Sequence, residues 1–383
     1  MRTFNVGILG CGVISRTYVA DMKAFFPQLR VVACADVDLA LAQKLAREFD
    51  IPRACVTEEL FKDDEVEIIV NLTPPQLHVA LDRQIIAAGK HLFSEKPFAQ
   101  SVSAAREIVA LAQKAGVRVG CAPDTFLSSG LQSVRWYLDR GLIGKPFFVT
   151  ANMTTFGYET WHPNPAPFYK PGSGPLYDMA PYYLSAIVSL LGPIQSVAAF
   201  GARGLEKRRL YVGERAGTEL EPEIPTHYTA ILKLKSGVVA NLNVSFDIYR
   251  SNLPMFEIYG DGGTLAYPDP NFGGSAPRVY RKEQYLDPLL RDTDEARARK
   301  ETFYELPELF PRPKDYSRGI GVLDLARAIE TGGENRASGA LAVHVTEAIE
   351  GLIASAERGA FYEMRTDCRI PEPLEPGMAL GEI

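Results

Sequence analysis

Several classes of protein are excluded by what this chain of 383 residues lacks. It has no apolar run approaching the roughly 20 residues that a helix needs to cross a bilayer, so a membrane-spanning protein is not expected. It also has no block of basic residues, and its 41 Lys and Arg stand against 47 Asp and Glu, a net charge of −6. Because a nucleic-acid binder needs a basic face to displace counterions, neither nucleic acid nor a membrane is an expected partner.

Cysteine and histidine are scarce and scattered, with five of each. No cysteines are spaced as Cys-x-x-Cys and no histidines as His-Glu-x-x-His, so we expect neither a disulfide scaffold nor a bound metal. The N-terminal residues lack a charged leader followed by a longer apolar core and a cleavage site. Together these features predict a cytoplasmic protein.

The chain has enough apolar residues, 46%, for two ordinary domains, and its first third alternates short apolar runs with helix-period segments. Runs that are apolar on both faces are typical of parallel strands covered by helices on each side. We therefore predict an α/β fold class with a doubly wound Rossmann domain over residues 1–122. Its predicted strands cover residues 4–9, 30–35, 66–72, 91–94 and 117–121.

The rhythm changes after residue 122, where strands with period-two alternation are joined by glycine-containing hairpin turns. This pattern predicts an α+β domain over residues 123–383, with a large, mostly antiparallel open sheet for substrate binding and oligomerisation. We also expect the charged stretch 291–300 to be a solvated surface segment. The predicted strands of this domain cover residues 147–154, 196–201, 228–235, 238–246 and 255–259.

A glycine-rich turn follows the first predicted strand, where residues 10–15 read Gly-Cys-Gly-Val-Ile-Ser. Glycines at this place let the chain turn sharply and let a pyrophosphate approach the start of the next helix. Asp36 ends the second strand, where a carboxylate meets the adenosine ribose, and Val37 offers no charge for a 2′-phosphate. The pattern favours NAD over NADP as the cofactor. The turn residues expected to contact it are Gly10, Gly12, Val13 and Ile14.

Two further strand ends carry more distinctive motifs. Residues 71–78 read Asn-Leu-Thr-Pro-Pro-Gln-Leu-His, and residues 95–97 read Glu-Lys-Pro. With the glycine turn, with Gly-Ser-Gly-Pro-Leu-Tyr-Asp at 172–178 and with Gly-Ile-Gly-Val-Leu-Asp at 319–324, they make a chain that resembles the Gfo/Idh/MocA oxidoreductases. That family is named for glucose–fructose oxidoreductase and inositol dehydrogenase, and the resemblance covers most of the chain.

The resemblance implies that Lys96 lies near the substrate hydroxyl and the nicotinamide ring. A lysine beside a cationic ring and an apolar wall is expected to have a lowered pKa, which suits it for proton exchange. The carboxyl ends of parallel strands form the ligand crevice of such a sheet, so neighbouring residues are expected against the cofactor as well. They are Thr73, Pro74, His78 and Glu95.

The sequence departs from the family at the position of its usual general base. Family members commonly carry Asp-x-x-x-His on a helix, whereas this chain has Asp178 and Tyr182 at that spacing, which puts both on one helix face. Three alternatives stay open. Lys96 does the proton work while Tyr182 orients the hydroxyl, which we favour; His162 substitutes for the missing histidine; or the site binds without turnover.

Other polar and aromatic residues fall where family members contact substrate. Aromatic faces and hydrogen-bonding groups together suit a carbohydrate, whose ring faces are apolar and whose rim carries hydroxyls. The substrate contacts implied in addition to Lys96, Asp178 and Tyr182 are Asp124, Phe126, Trp161, His162 and Tyr169.

We therefore predict an NAD(P)-dependent dehydrogenase that acts on CH–OH groups. Hydride would pass between a ring hydroxyl of a sugar, sugar derivative or cyclitol and the nicotinamide. The alternative is a catalytically silent NAD-binding sensor or regulator of the same family. The resemblance also implies a homodimer or homotetramer formed through the second domain's sheet.

Overall fold

The computed structural model describes residues 1–286, 302–310 and 318–376, so the charged stretch 291–300 lies outside the described residues. The described chain forms two compact units. The first contains residues 1–128, 318–347 and 374–376; the second contains residues 129–286, 302–310 and 348–373. The chain thus returns to the first unit after completing most of the second. The predicted domains 1–122 and 123–383 remain predictions.

The first unit is built on a six-stranded sheet whose neighbouring strands are all parallel, in the order β3-β2-β1-β4-β5-β6. This order is that of a doubly wound dinucleotide-binding sheet, so the predicted Rossmann fold is confirmed. The short strand β3 is not among the predicted strands. The strands are β1 (Phe4–Leu9), β2 (Leu29–Ala35), β3 (Arg53–Cys55), β4 (Ile68–Asn71), β5 (His91–Ser94) and β6 (Val119–Cys121).

The helices that flank this sheet begin and end at residues that favour a helix boundary. Asp38 accepts a hydrogen bond from the backbone N–H of Ala40 and so caps the second helix. Gly116 ends the fifth helix with a left-handed φ of 70°, which glycine adopts without strain. The helices are α1 (Val13–Phe25), α2 (Leu39–Phe49), α3 (Thr57–Phe61), α4 (His78–Ala87) and α5 (Val102–Ala115).

The second unit contains a nine-stranded sheet in the order β16-β15-β14-β13-β7-β12-β11-β8-β17. Among the described strands of this sheet only β7 and β12 pair in parallel, so the predicted mostly antiparallel sheet is confirmed. Short β9 and β10 pair separately. The strands are β7 (Pro146–Thr154), β8 (Ile194–Ala202), β9 (Arg208–Arg209), β10 (Glu219–Leu220), β11 (His227–Leu234), β12 (Val239–Ser245), β13 (Phe256–Gly260), β14 (Gly263–Tyr267), β15 (Arg278–Arg281), β16 (Tyr304–Glu305) and β17 (Tyr362–Glu363).

One face of the second sheet is packed and the other is open. Every residue of α8 is buried, and this helix packs against β7. On the other face Phe200 and Ile231 are 73% and 54% exposed. The helices of this part are α6 (Ser129–Asp139), α7 (Gly174–Asp178), α8 (Ala180–Leu191) and α9 (Lys282–Leu286).

The returning chain forms α10 (Ile320–Thr331) and α11 (Gly339–Arg358). A nearly buried ion pair fixes the connection between them: Arg336 Nη1 lies 2.6 Å from Asp324 Oδ1, and Asp324 is 2% exposed. No helix in the described ranges is long and apolar enough to cross a membrane.

We expect Asp324→Ala to lower the free energy of unfolding by about 3 kcal/mol, because it leaves the Arg336 guanidinium without its carboxylate. Denaturant unfolding followed by circular dichroism measures the change. The matched control is Glu107→Ala, which breaks an exposed pair with Arg83 and should have a much smaller effect. Equal losses in the two variants would contradict the assignment.

Candidate functional site

Gly10 brings the ends of three neighbouring strands together. Its N–H donates to the carbonyl of Ala35 at 2.9 Å, and its φ is 92°. A Cβ at this position would lie 2.8 Å from the carbonyl carbon of Leu72 and from the backbone nitrogen of Thr73. Only glycine therefore fits where β1 passes the end of β4.

Gly12 is a glycine for a different reason. Its φ of −75° is ordinary, and a Cβ there would meet nothing within 4 Å. The protein's own packing does not require glycine here. No side chain caps the start of α1, and Val13 is 90% exposed. Open space in front of uncapped helix N–H groups fits a pyrophosphate, so this turn fits a bound dinucleotide.

Asp36 is held in place directly after β2. One carboxylate oxygen accepts from the N–H of Cys11 at 2.7 Å, and the other accepts from the N–H of Asp38 at 3.0 Å. The next residue, Val37, is 94% exposed and carries no charge. A fixed carboxylate at this edge suits the hydroxyls of an adenosine ribose and repels a 2′-phosphate.

His78 ties together the two strand ends that carry Thr73 and Lys96. The ring is fully buried, with Nδ1 2.8 Å from the carbonyl oxygen of Pro97 and Nε2 2.8 Å from that of Thr73. Its contacts are thus with backbone on both sides, and direct contact with the cofactor stays a prediction. Pro74 is exposed and precedes a short 3₁₀ helix, Pro75–Leu77.

A buried polar pair supports the same loop. Asn71 donates to Asp82 at 2.7 Å, and its side-chain oxygen accepts from the hydroxyl of Thr73 at 2.7 Å. Burial raises the pKa of Asp82 to about 6, against the opposing effect of nearby His78. Asn71 therefore connects the loop that carries Thr73 to Asp82 of α4.

Glu95 braces the backbone beside Lys96. Its carboxylate accepts from the hydroxyl of Tyr18 at 2.9 Å and from the N–H of Lys96 at 2.7 Å. Glu95 is 7% exposed, whereas Lys96 is half-buried at the end of β5. Because β5 is next to β4 in the sheet, Lys96 follows a strand tip on the same edge as the glycine turn.

Two predicted substrate contacts, Asp124 and Phe126, are buried in the first unit. Asp124 is fully buried, and its Oδ2 accepts from the backbone N–H groups of Gly319 and Gly321 at 3.2 and 2.8 Å. Burial raises the pKa of Asp124. Phe126 is 2% exposed. Asp124 thus fixes the chain that enters α10, and substrate contact stays a prediction for both residues.

Asp178 and Tyr182 lie on two successive helices, where the sequence predicted a single one. Asp178 ends α7, Met179 separates the helices, and α8 begins at Ala180. The interruption follows from Pro181, which has no N–H to continue the hydrogen bonding of α7. Tyr182 is 5% exposed.

Tyr158, which the sequence analysis missed, contacts Asp178 directly. Its hydroxyl donates to Asp178 Oδ2. Burial, followed by the negative charge of Asp178, raises the pKa of Tyr158, and the charge that Tyr182 would carry when ionised acts in the same direction. Tyr158 is therefore a hydrogen-bond donor at neutral pH. No motif marks this residue, since it lies 20 positions before its partner.

An aromatic cluster surrounds Tyr158. The ring of Phe168 lies 4.2 Å from it and that of Trp161 lies edge-on at 5.0 Å. His162 packs against Trp161 at 5.5 Å. Trp161 is 62% exposed, so its indole face is accessible. Two predicted substrate contacts, Trp161 and His162, therefore lie in the cluster that also holds Asp178.

Tyr169 belongs to the support of this cluster. It is 1% exposed, and its hydroxyl donates to Glu159 and accepts from the N–H of Tyr158 at 3.2 Å. Its predicted contact with substrate stays a prediction.

Comparisons with known proteins agree with this geometry. The model of the oxidoreductase family with an NAD-binding Rossmann fold matches residues 4–122, and the model of the Gfo/Idh/MocA C-terminal domain matches residues 131–266. A bovine trans-1,2-dihydrobenzene-1,2-diol dehydrogenase is 30% identical over 69% of this chain and 74% of its own length. The chain belongs to the Gfo/Idh/MocA family of oxidoreductases.

Two further relatives are similar over different extents. The uncharacterised oxidoreductase YdgJ of Escherichia coli K12 is 30% identical over 49% of this chain, and the match spans 54% of YdgJ. The solved structure of levoglucosan dehydrogenase in complex with NADH has a TM-score of 0.78 at 19% identity, covering 95% of this chain and all of that one. That structural likeness supports the fold.

We expect Gly12→Ala to fold with wild-type stability and to weaken NADH binding at least about 10-fold, because the methyl group would occupy the space that the pyrophosphate needs. Calorimetric titration with NADH and denaturant unfolding measure the two effects. Gly10→Ala is the matched comparison, and it should lose stability as well, since its Cβ would meet backbone atoms. Wild-type NADH affinity in Gly12→Ala would contradict the assignment.

Proposed function

We propose that the protein is an NAD-dependent dehydrogenase that transfers hydride between a ring hydroxyl of a sugar, sugar derivative or cyclitol and the nicotinamide. The observation that carries the proposal is the uncrowded Gly12 turn in the same sheet as Lys96. Adjacent strands are about 4.8 Å apart, so the two strand tips are about 10 Å apart across the sheet. This spacing suits a cofactor that extends along one edge.

NAD, when bound, supplies the acceptor for hydride. In the proposed reaction Lys96 exchanges the proton of the substrate hydroxyl, because it is a half-buried amine at the ligand edge of the sheet. Asp178 accepts a hydrogen bond from a substrate hydroxyl, and Tyr182 orients that hydroxyl. His162 stays the alternative proton carrier, since it lies in the aromatic cluster of the unit that also contains Asp178.

The aromatic cluster supports a ring-shaped substrate. The exposed face of Trp161 suits the apolar face of a ring, while the Asp178 carboxylate suits its hydroxyls. The bovine relative is named for a cyclic diol, and the structural neighbour for levoglucosan. A cyclic compound with neighbouring hydroxyls is therefore the proposed substrate class.

The proposed cofactor preference rests on Asp36 and Val37. The fixed carboxylate favours NAD and repels the 2′-phosphate of NADP, and no cation is offered by the residue that follows. We also propose a homodimer or homotetramer formed through the open face of the second sheet. Its exposed Phe200 and Ile231 give that face an apolar character that a partner would cover.

A second candidate is a catalytically silent NAD-binding sensor or regulator. The observation that favours it is Tyr182, which stands where the family commonly has histidine. Retention of Lys96 and Asp178 favours the dehydrogenase.

The test is a turnover assay at 340 nm with NAD or NADP and a panel of trans-1,2-dihydrobenzene-1,2-diol, levoglucosan, myo-inositol and D-glucose. We expect NADH formation with at least one cyclic compound, and a lower kcat/KM with NADP. NADH binding without turnover on any compound, in either direction, would favour the sensor.

We expect Lys96→Ala to reduce turnover at least about 100-fold while NADH affinity changes little, because general acid–base catalysis contributes typically 10²–10⁴-fold. Steady-state kinetics and calorimetric titration separate the two quantities. Lys90→Ala is a control within the same unit, since Lys90 donates to the carbonyl of Asp63 and lies before β5. Near-wild-type turnover of Lys96→Ala would remove this lysine from the mechanism.

A further inference from the structure

A short segment of the second unit, residues 156–162, carries Tyr158, Trp161 and His162. We call it the aromatic turn. It follows β7, and Tyr158 in it donates to Asp178. The ring of Tyr158 is fixed between Phe168 at 4.2 Å and Phe246 at 5.0 Å. The position of the Tyr158 hydroxyl, and with it the hydrogen bond to Asp178, therefore depends on the position of the aromatic turn.

A buried ion cluster lies directly beneath the aromatic turn. The Arg208 guanidinium has no solvent exposure, and its Nε donates to Glu159 Oε1 at 2.8 Å. Its Nη1 donates to Asp247, and its Nη2 donates to the carbonyl oxygen of Phe246 at 2.6 Å. Arg208 thus binds the residue next to Tyr158 and the end of the β12 segment at the same time.

The remaining groups of this cluster are also satisfied. Tyr169 donates to the second oxygen of Glu159, and Thr226 donates to the second oxygen of Asp247 at 2.7 Å. The backbone of the turn lies tightly against these side chains: a Cβ at Gly157 would come within 2.7 Å of Arg208 Nη2. The turn is therefore packed closely against the cluster at Gly157.

Removing charged groups from water costs free energy, so the buried charges of this cluster point to a role in positioning. A desolvated ion pair adds little net stability compared with well-packed apolar residues, but it has strict directional demands. Arg208 meets these demands with three separate acceptors, two of which lie outside the turn. The cluster therefore fixes the turn to the body of the unit.

We propose that Tyr158 is a positioning residue for Asp178, and that the buried Arg208–Glu159 pair sets the place of Tyr158 by holding the aromatic turn. The proposal rests on the proposed function, in which Asp178 contacts the substrate. Tyr158 fixes the direction of the carboxylate, and the cluster keeps Trp161 beside it as the wall against which the substrate ring lies.

Two variants separate the steps of this proposal. Tyr158→Phe keeps the ring and removes one hydrogen bond to a charged group, so kcat/KM should fall about 10- to 100-fold. Glu159→Gln keeps the shape of the side chain but weakens its pairing with Arg208. It should lower kcat/KM as well and also loosen the turn.

The chain offers a direct probe of the turn, because it has two tryptophans, Trp136 and Trp161. In a Trp136→Phe background, emission and acrylamide quenching report Trp161 alone. We expect Glu159→Gln to shift the emission and increase quenching, and Tyr158→Phe to change them much less. NADH affinity should stay within about 2-fold of wild type in both variants, since the dinucleotide turn lies in the other unit.

The control for a general loss of stability is Asp324→Ala, which breaks a buried ion pair of the first unit. Asp324→Ala should leave Trp161 emission unchanged. The proposal is overturned if Tyr158→Phe retains wild-type kcat/KM, if Glu159→Gln leaves Trp161 emission as in wild type, or if Asp324→Ala reproduces that shift. Arg208→Lys provides a second test of the cluster. It should retain neither the wild-type emission of Trp161 nor the wild-type kcat/KM, because an ammonium cannot replace the planar guanidinium.

Failure of the proposed function is distinguishable from failure of this proposal. Absence of wild-type turnover on the panel would reject the dehydrogenase. The fluorescence of Trp161 is measured without turnover, so it still tests whether the Arg208–Glu159 pair holds the turn.

Discussion

The contact of Gly10 with the backbone of Leu72 and Thr73 is the constraint on which the candidate cofactor site depends. It requires a residue without a Cβ, because a Cβ at Gly10 would lie 2.8 Å from backbone atoms just after β4. These two strands are where the order of a doubly wound sheet reverses, so their tips border the ligand crevice. The open space at Gly12 and the held carboxylate of Asp36 are useful only because this contact sets the turn beside them.

The two units fix their candidate site residues by different physical means. In the first unit, loops at the strand ends are joined by hydrogen bonds with backbone groups: the His78 ring lies between two carbonyl oxygens, and Glu95 accepts from the N–H of Lys96. In the second unit a buried guanidinium and its carboxylates hold the turn that follows β7. The directional hydrogen bonds of Arg208 thus add to backbone hydrogen bonds of the turn, such as the one from the N–H of Tyr211 to the carbonyl oxygen of Glu159 at 2.9 Å.

Much of the fold could be predicted from local pattern, because apolar periodicity and capping residues act over a few positions. β1 and β5 have the predicted bounds, and the side chain of Asp38 caps α2 through a local hydrogen bond. β3 and α3 were missed because three to five residues carry too little periodicity. The family resemblance, carried by short motifs at strand ends, is confirmed by family models over residues 4–122 and 131–266.

What could not be predicted depends on contacts between residues far apart in the chain. Arg208 and Glu159 are separated by 49 positions, and no spacing rule links an arginine to a carboxylate at that distance. The same reason applies to the hydrogen bonds that Asp124 accepts from Gly319 and Gly321, which lie almost 200 residues away. Tyr158 belongs to this group, since only the folded chain brings it to Asp178.

The sequence has Tyr182 where the family commonly has histidine, and in the structure a second tyrosine, Tyr158, donates a hydrogen bond to Asp178. Burial and the negative charge of Asp178 raise the pKa of Tyr158, so that hydroxyl is a donor over the whole neutral range. A donor that never ionises cannot accept the substrate's proton, but it can fix the direction of Asp178. Under the proposed function the second unit therefore orients the substrate, and the proton is exchanged by an amine. This proposed division of labour fits a sequence that has Tyr182 where the family commonly has histidine and that retains Lys96 and Asp178.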